Sequence, residues 1–169
     1  MDSTTLRELQ RPLKDLYRET PRAAVVTLQA EGEVGDGVTC SVQTGQAIAR
    51  AGLHPATGGD GLSLCSGDML LQALVACAGV TLNSVATAME IAIRSGHVYA
   101  EGDLDFRGTL GVSRDAPVGF RAIRLRFDID ADAPQEKLDK LLELTERYCV
   151  VYQTIRSSPP IEVALNNAR

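Results

Sequence analysis

Leucines recur at positions 6, 9, 13 and 16 with charged residues between them, and this spacing of three and four predicts a helix over residues 5–17. Pro12 falls inside the pattern and predicts a kink or a break, and Pro21 ends the arm. The period then drops to two. In "AAVVTLQAEGEV", Val26, Leu28 and Ala30 alternate with Thr27, Gln29 and Glu31, which predicts a strand. "GDG" at 35–37 is a hairpin signal, "VTCSVQT" reads as the next strand and "QAIARAGL" as a third. The Pro/Gly loop "HPATGGDG" follows; it reads equally as a surface connection or as the border of a site.

The period returns to helical in "CSGDMLLQALVACAGVTLNSVATAMEIAI", with Ser66 as N-cap, Asp68 in the first turn where the helix dipole favours an acid, and an end near Ala88 or Met89. Gln72, Thr81, Asn83 and Ser84 interrupt its apolar run, which reads as a buried core helix, too short and polar to span a bilayer. It is apolar on most of its circumference, so it must be covered on most sides. A single domain of this size rarely surrounds a helix, and a partner subunit is expected to supply part of the cover. "HVYAEGDLDFRGTLG" and "GFRAIRLRFDID" then alternate as an antiparallel pair, with Ile123, Leu125, Phe127 and Ile129 inward and Arg124, Arg126 and Asp128 outward. "APQEKLDKLLELTERY" is an amphipathic helix with Leu138, Leu141, Leu142 and Leu144 near one face, and "PPIEVAL" predicts a last strand. Helix, strands, long helix, strands, helix, strand is an α+β order.

The 169 residues fit an N-terminal helical arm over 1–20 and one α+β domain over 21–169. A net charge of −5 with no basic cluster argues against nucleic acid and anionic membrane as partners. The N-terminus lacks the apolar core of a secretory signal, so four cysteines do not read as an extracellular disulfide framework, and the cytoplasm is the expected compartment.

The chemistry rests on those cysteines. Cys40 sits mid-strand and Cys65 just before the long helix; with only His54 and His97 available and no CxxC spacing, a structural zinc site is not expected. Cys77, in "LVACAGVTL", lies about nine residues inside the helix, beyond the reach of its dipole. Burial alone raises a thiol's pKa, so a reactive Cys77 requires a cation from elsewhere in the fold or from a partner. Cys149, in "TERYCVVYQTI", follows at the end of the amphipathic helix. Taken alone, each cysteine reads as a small buried hydrophobe as readily as a reactive group.

"GDMLLQALVACAGVTL" followed by "LTERYCVVYQTI" resembles the OsmC/Ohr family of osmotically inducible and organic hydroperoxide resistance proteins, from about residue 35 onward. Its central helix has the form P-x-E-L-L-x-x-A-L-x-x-C, and a later helix ends in C-P-V. The resemblance implies an intertwined homodimer in which antiparallel sheets wrap two long buried central helices, with active sites at the interface. It implies that Cys77 attacks a small apolar hydroperoxide and that Cys149 resolves the product as a disulfide, with no bound cofactor and an external dithiol, lipoyl-type, as reductant. The family's activating pair is an Arg and a Glu. Here Ser66 stands in place of the motif's Pro and Asp68 on one form's acidic position, where it serves equally well as a simple helix N-terminal charge. Arg50 is the arginine chosen for activation, with Arg22 and Arg147 as rivals and an exposed strand charge as its plain reading. C-P-V appears as Cys149-Val150-Val151, without the Pro. Three readings stay open: a thiol peroxidase, a non-catalytic small-molecule-binding dimer, and another Cys-dependent hydrolase or transferase.

Overall fold

The computed structural model describes residues 2–5, 7, 8, 10, 11, 19, 20, 32–34, 39–44, 47–111 and 113–166. The chain is α+β, as the pattern predicts. One sheet has the order β1 (Gly32–Val34), β2 (Thr39–Thr44), β3 (Ala47–Gly52), β4 (Leu64–Cys65); the first three are antiparallel, and β4 joins β3 in parallel. The second pairs β5 (Ile93–Asp103) with β6 (Ala122–Ala131) antiparallel, setting Val98 opposite Phe127 and Ala100 opposite Leu125. The helices are α1 (Ser66–Ala88), α2 (Phe106–Thr109), α3 (Gln135–Tyr148) and α4 (Val150–Ser157). Residues 3–5, 7, 8, 10 and 11 are helical, and Arg7 pairs with Glu90 at 3.0 Å just past α1. The Pro12 kink, Arg22, the strand expected over 23–31 and the "GDG" turn lie outside the described residues.

The core forms where one stripe of α1 meets β5, β6 and α3. Leu74, Ala78, Leu82 and Ala86, four apart, are the helix's buried residues. Leu82, Ala86, Ile91 and Leu141 form the central cluster, with Val85, Phe127, Ile129 and Leu138 packed around it. Leu141 is 1 % exposed, so Leu141→Ala is expected to cost about 3 kcal/mol through lost burial and a cavity, read as a Tm lower by several degrees in thermal unfolding.

The structure departs from the sequence pattern in five places. Cys65, not Ser66, is the N-cap of α1, and it makes no side-chain capping bond. The strand expected through Gly111 ends at Asp103, because Asp105 accepts the Arg107 N–H at 3.2 Å and starts the turn of α2. A second helix, α4, follows Cys149 directly although no proline starts it. The last strand does not form: residues 158–166 carry no regular structure, and Ile161, Val163 and Leu165 are 84, 90 and 94 % exposed. Finally, α1 is long and apolar enough, by length and composition, to cross a membrane, yet only 22 % of its most apolar window is buried.

Candidate thiol site

Cys77 and Cys149 come from different helices and meet. Cys77 lies on α1 beside the buried stripe and is half-buried. Cys149 is 1 % exposed and sits at the corner where α3 stops and α4 starts. Its own N–H still closes the last bond of α3, to the Thr145 carbonyl at 2.9 Å, while its φ of −72° and ψ of 108° turn the chain out of the helix. Two contacts lace α4 back onto α3: Tyr152 Oη donates to Glu146 Oε2 at 3.1 Å, and Gln153 Nε2 donates to the Glu146 carbonyl at 2.8 Å. Burial first, and the Glu146 carboxylate second, push the Tyr152 hydroxyl's pKa up, which keeps it a donor in that contact.

This corner aims the start of α4 at the Cys77 sulfur. Burial pushes the Cys77 thiol up, but the backbone N–H of Val151, the Cys149 thiol, the Val150 N–H and the Thr81 hydroxyl all act the other way and leave its pKa below the ordinary thiol value. Thr81 stands one turn along α1 and donates to the Cys77 carbonyl at 2.8 Å. Cys149 moves oppositely: burial pushes it up, and its hydrogen bond to the Cys77 sulfur and the charge there push it further. At a pH between the two values, Cys77 is the thiolate and Cys149 keeps its proton.

The cation required at Cys77 by the sequence reading is therefore replaced, among the leading influences, by oriented dipoles. The first amides of any helix lack an intrahelical acceptor and carry its positive end, and here they face a sulfur from another helix. Asp68 is exposed in the first turn of α1, about 13 Å along the axis from Cys77. Arg50 is exposed on β3, opposite Ser41. Arg147 lies over the Tyr148 ring at 5.6 Å. Sequence reasoning missed Thr81 and the two amides. The apolar spacing of Val151 and Ile155 after Cys149 was the signal for a second helix, and that helix puts free N–H groups at 150 and 151.

An apolar cavity of about 780 Å³ opens between α1, β6, α3 and α4, lined by Leu74, Leu82, Phe127, Leu138, Leu141 and Tyr152 among others and by neither Cys77 nor Cys149. Leu74 lies one turn before Cys77, and Tyr152 in the first turn of α4. Among the described residues, no cluster of three or more His, Cys, Asp or Glu is arranged to hold a metal ion.

The profile of the family described as OsmC-like protein matches residues 58–164, more than half of the chain. The chain belongs to the OsmC-like family. Solved structures of the family share its fold. An OsmC-like protein from Mycoplasma pneumoniae is 17 % identical with a TM-score of 0.65, over 78 % of this chain and 88 % of its own. An organic hydroperoxide resistance protein OsmC from Legionella pneumophila is 18 % identical with a TM-score of 0.61, over 79 % and 91 %. An organic hydroperoxide resistance protein from Elizabethkingia anophelis is 15 % identical with a TM-score of 0.59, over 79 % and 90 %. No functionally curated protein matches the chain. At these identities the likeness establishes the fold of this OsmC-like chain.

Proposed function

We propose that the chain is a cysteine-based peroxidase for organic hydroperoxides. The observation that carries this reading is the contact between two thiols of opposite acidity, Cys77 shifted down and Cys149 shifted up. The Cys77 thiolate attacks one peroxide oxygen and the O–O bond breaks. The alkoxide leaves, takes a proton and departs as an alcohol; the sulfur, oxidised by two electrons, is left as a sulfenic acid. The Cys149 sulfur then displaces its hydroxyl as water, with loss of the thiol proton, to form a disulfide. An external dithiol of the lipoyl class reduces that disulfide by exchange and ends as its own disulfide. The apolar cavity, which reaches Leu74 one turn before Cys77 and Tyr152 in the first turn of α4, suits the organic tail of the peroxide better than it suits hydrogen peroxide. A thiol cycle of this kind fits a reducing compartment such as the cytoplasm.

A second copy of the chain belongs to the proposal. It covers the exposed apolar face of α1 and the uncovered tail with Ile161, Val163 and Leu165, and places the thiols at the interface. The peroxide reading is tested by reacting the reduced protein with one equivalent of tert-butyl hydroperoxide, then measuring intact mass and mapping peptides. The expected result is a loss of about two mass units traced to a Cys77–Cys149 link. Unchanged mass with both thiols free overturns it. That outcome favours a second reading, a small-molecule-binding protein of the same fold, for which the cavity, lined by neither cysteine among the described residues, is the specific observation.

A further inference from the structure

Cys149 is a hinge between two helices. Its N–H closes α3 on the Thr145 carbonyl at 2.9 Å, and its own carbonyl accepts the first bond of α4, from the Gln153 N–H at 3.0 Å. The direction of its side chain therefore depends on the angle between α3 and α4. The shorter helix does not fix that angle by itself. It has eight residues, fewer than a helix needs to persist alone in water, and all of them are half-buried or exposed. Among the described residues, the side-chain bonds that cross the corner both end on Glu146. Tyr152 Oη reaches its carboxylate at 3.1 Å and Gln153 Nε2 its carbonyl at 2.8 Å, from six and seven residues further along the chain. That carbonyl is one of the last four of α3, which lose their partner amides where the helix stops. Tyr152 and Glu146 also line the cavity together with Leu74, so the corner stands against the helix that carries Cys77. We propose that Tyr152 and Gln153 are positioning residues: by clamping α4 to Glu146 they hold the Cys149 thiol at Cys77 for disulfide formation.

Loosening the clamp moves one thiol and leaves the other. Leu82 and Ala86 of α1 pack in the central cluster with Leu141, so the helix that carries Cys77 stays in place when α4 swings. What changes is the reach of Cys149. The clamp thus sets the effective concentration of one thiol at the other, and with it the reduction potential of the pair. Two hydrogen bonds, one of them to a carboxylate, are together worth about tenfold in the population of the closed corner once competition with water is counted. A clamp that served stability alone would lower the melting temperature and leave the potential where it was. The proposal rests on the peroxidase reading only for what the disulfide is used for.

The test is the redox equilibrium of the pair in glutathione buffers. Two protein thiols and one glutathione disulfide exchange to one protein disulfide and two glutathione thiols. The Cys77–Cys149 link is quantified by peptide mapping after an acid quench. The parent is expected to form it. Tyr152→Phe keeps the ring and loses the hydroxyl; Gln153→Met keeps the chain length and loses the amide. Together they are expected to lower the equilibrium constant about tenfold, a potential about 30 mV less negative. Each alone is expected to give roughly threefold, which decides the matter if circular dichroism shows the double variant unfolded. Tyr148→Phe removes a hydroxyl from a ring that is 59 % exposed at the end of α3, and is expected to match the parent. Folded variants at the parent's potential or a more negative one, an equal shift in Tyr148→Phe, or a parent that forms no link overturn the proposal. The equilibrium uses no peroxide. A parent that links its thiols in glutathione but leaves tert-butyl hydroperoxide intact loses the peroxidase reading, and the clamp is then judged on the variants alone.

Discussion

Cys77→Ser is expected to lower consumption of tert-butyl hydroperoxide by roughly 10³-fold or more, to the rate of the buffer and the remaining thiols. A serine hydroxyl stays protonated where this thiol ionises, so the donors that face position 77 then have no anion to stabilise. The substitution changes volume little at a half-buried site, and folding is expected to survive, which circular dichroism checks. Cys149→Ser is expected to behave differently, and the contrast is the stronger test. The first equivalent of peroxide is consumed at a normal or faster rate, because the attacking thiolate is intact. Turnover then stops, since no neighbouring thiol condenses with the sulfenic acid. Excess peroxide drives Cys77 on to the sulfinic acid, a gain of about 32 mass units over the reduced protein. If Cys77→Ser still turns over, or Cys149→Ser turns over without a pause using the same dithiol, the assigned roles are wrong.

Where one physical demand dominated, the sequence was readable. The long helix is legible because apolar residues recur at helical spacing from Leu70 to Ala88, although only one stripe of it is buried. The pair β5 and β6 is legible because Ile123, Leu125, Phe127 and Ile129 alternate with charges that stay in water. The site was half legible. The order of Cys77 and Cys149 pointed to a pair through a resemblance, but spacing alone could not bring α1 to the corner after α3. The amides of Val150 and Val151 were invisible because a backbone donor leaves no mark in residue identity; only the start of a helix exposes it. The tail shows the opposite failure. Ile161, Val163 and Leu165 alternate as a strand should, yet they pair with neither sheet among the described residues and stay exposed.

Val80→Glu is expected to convert the protein from a species of about twice the 18.1 kDa chain mass to single chains, read by sedimentation velocity at micromolar concentration. Val80 is 72 % exposed in the middle of an apolar helix, and Leu70, Ala73 and Ala76 are exposed with it. The small side chains allow another backbone to approach closely. A two-fold interface sets the same patch on both copies, so one substitution puts two carboxylates into one dry contact. Each buried unpaired carboxylate costs several kcal/mol, and about 4 kcal/mol corresponds to roughly a 10³-fold rise in Kd. Val80→Leu keeps the patch apolar and is expected to remain paired. A parent protein that sediments at the mass of one chain, or a Val80→Glu variant that stays paired, removes α1 from the interface. The same sample then links assembly to chemistry. If the thiols lie at the interface, the separated Val80→Glu chains lose peroxide turnover along with the pairing. If they keep it, the corner of α3 and α4 suffices, and the dipoles that face Cys77 work within one chain.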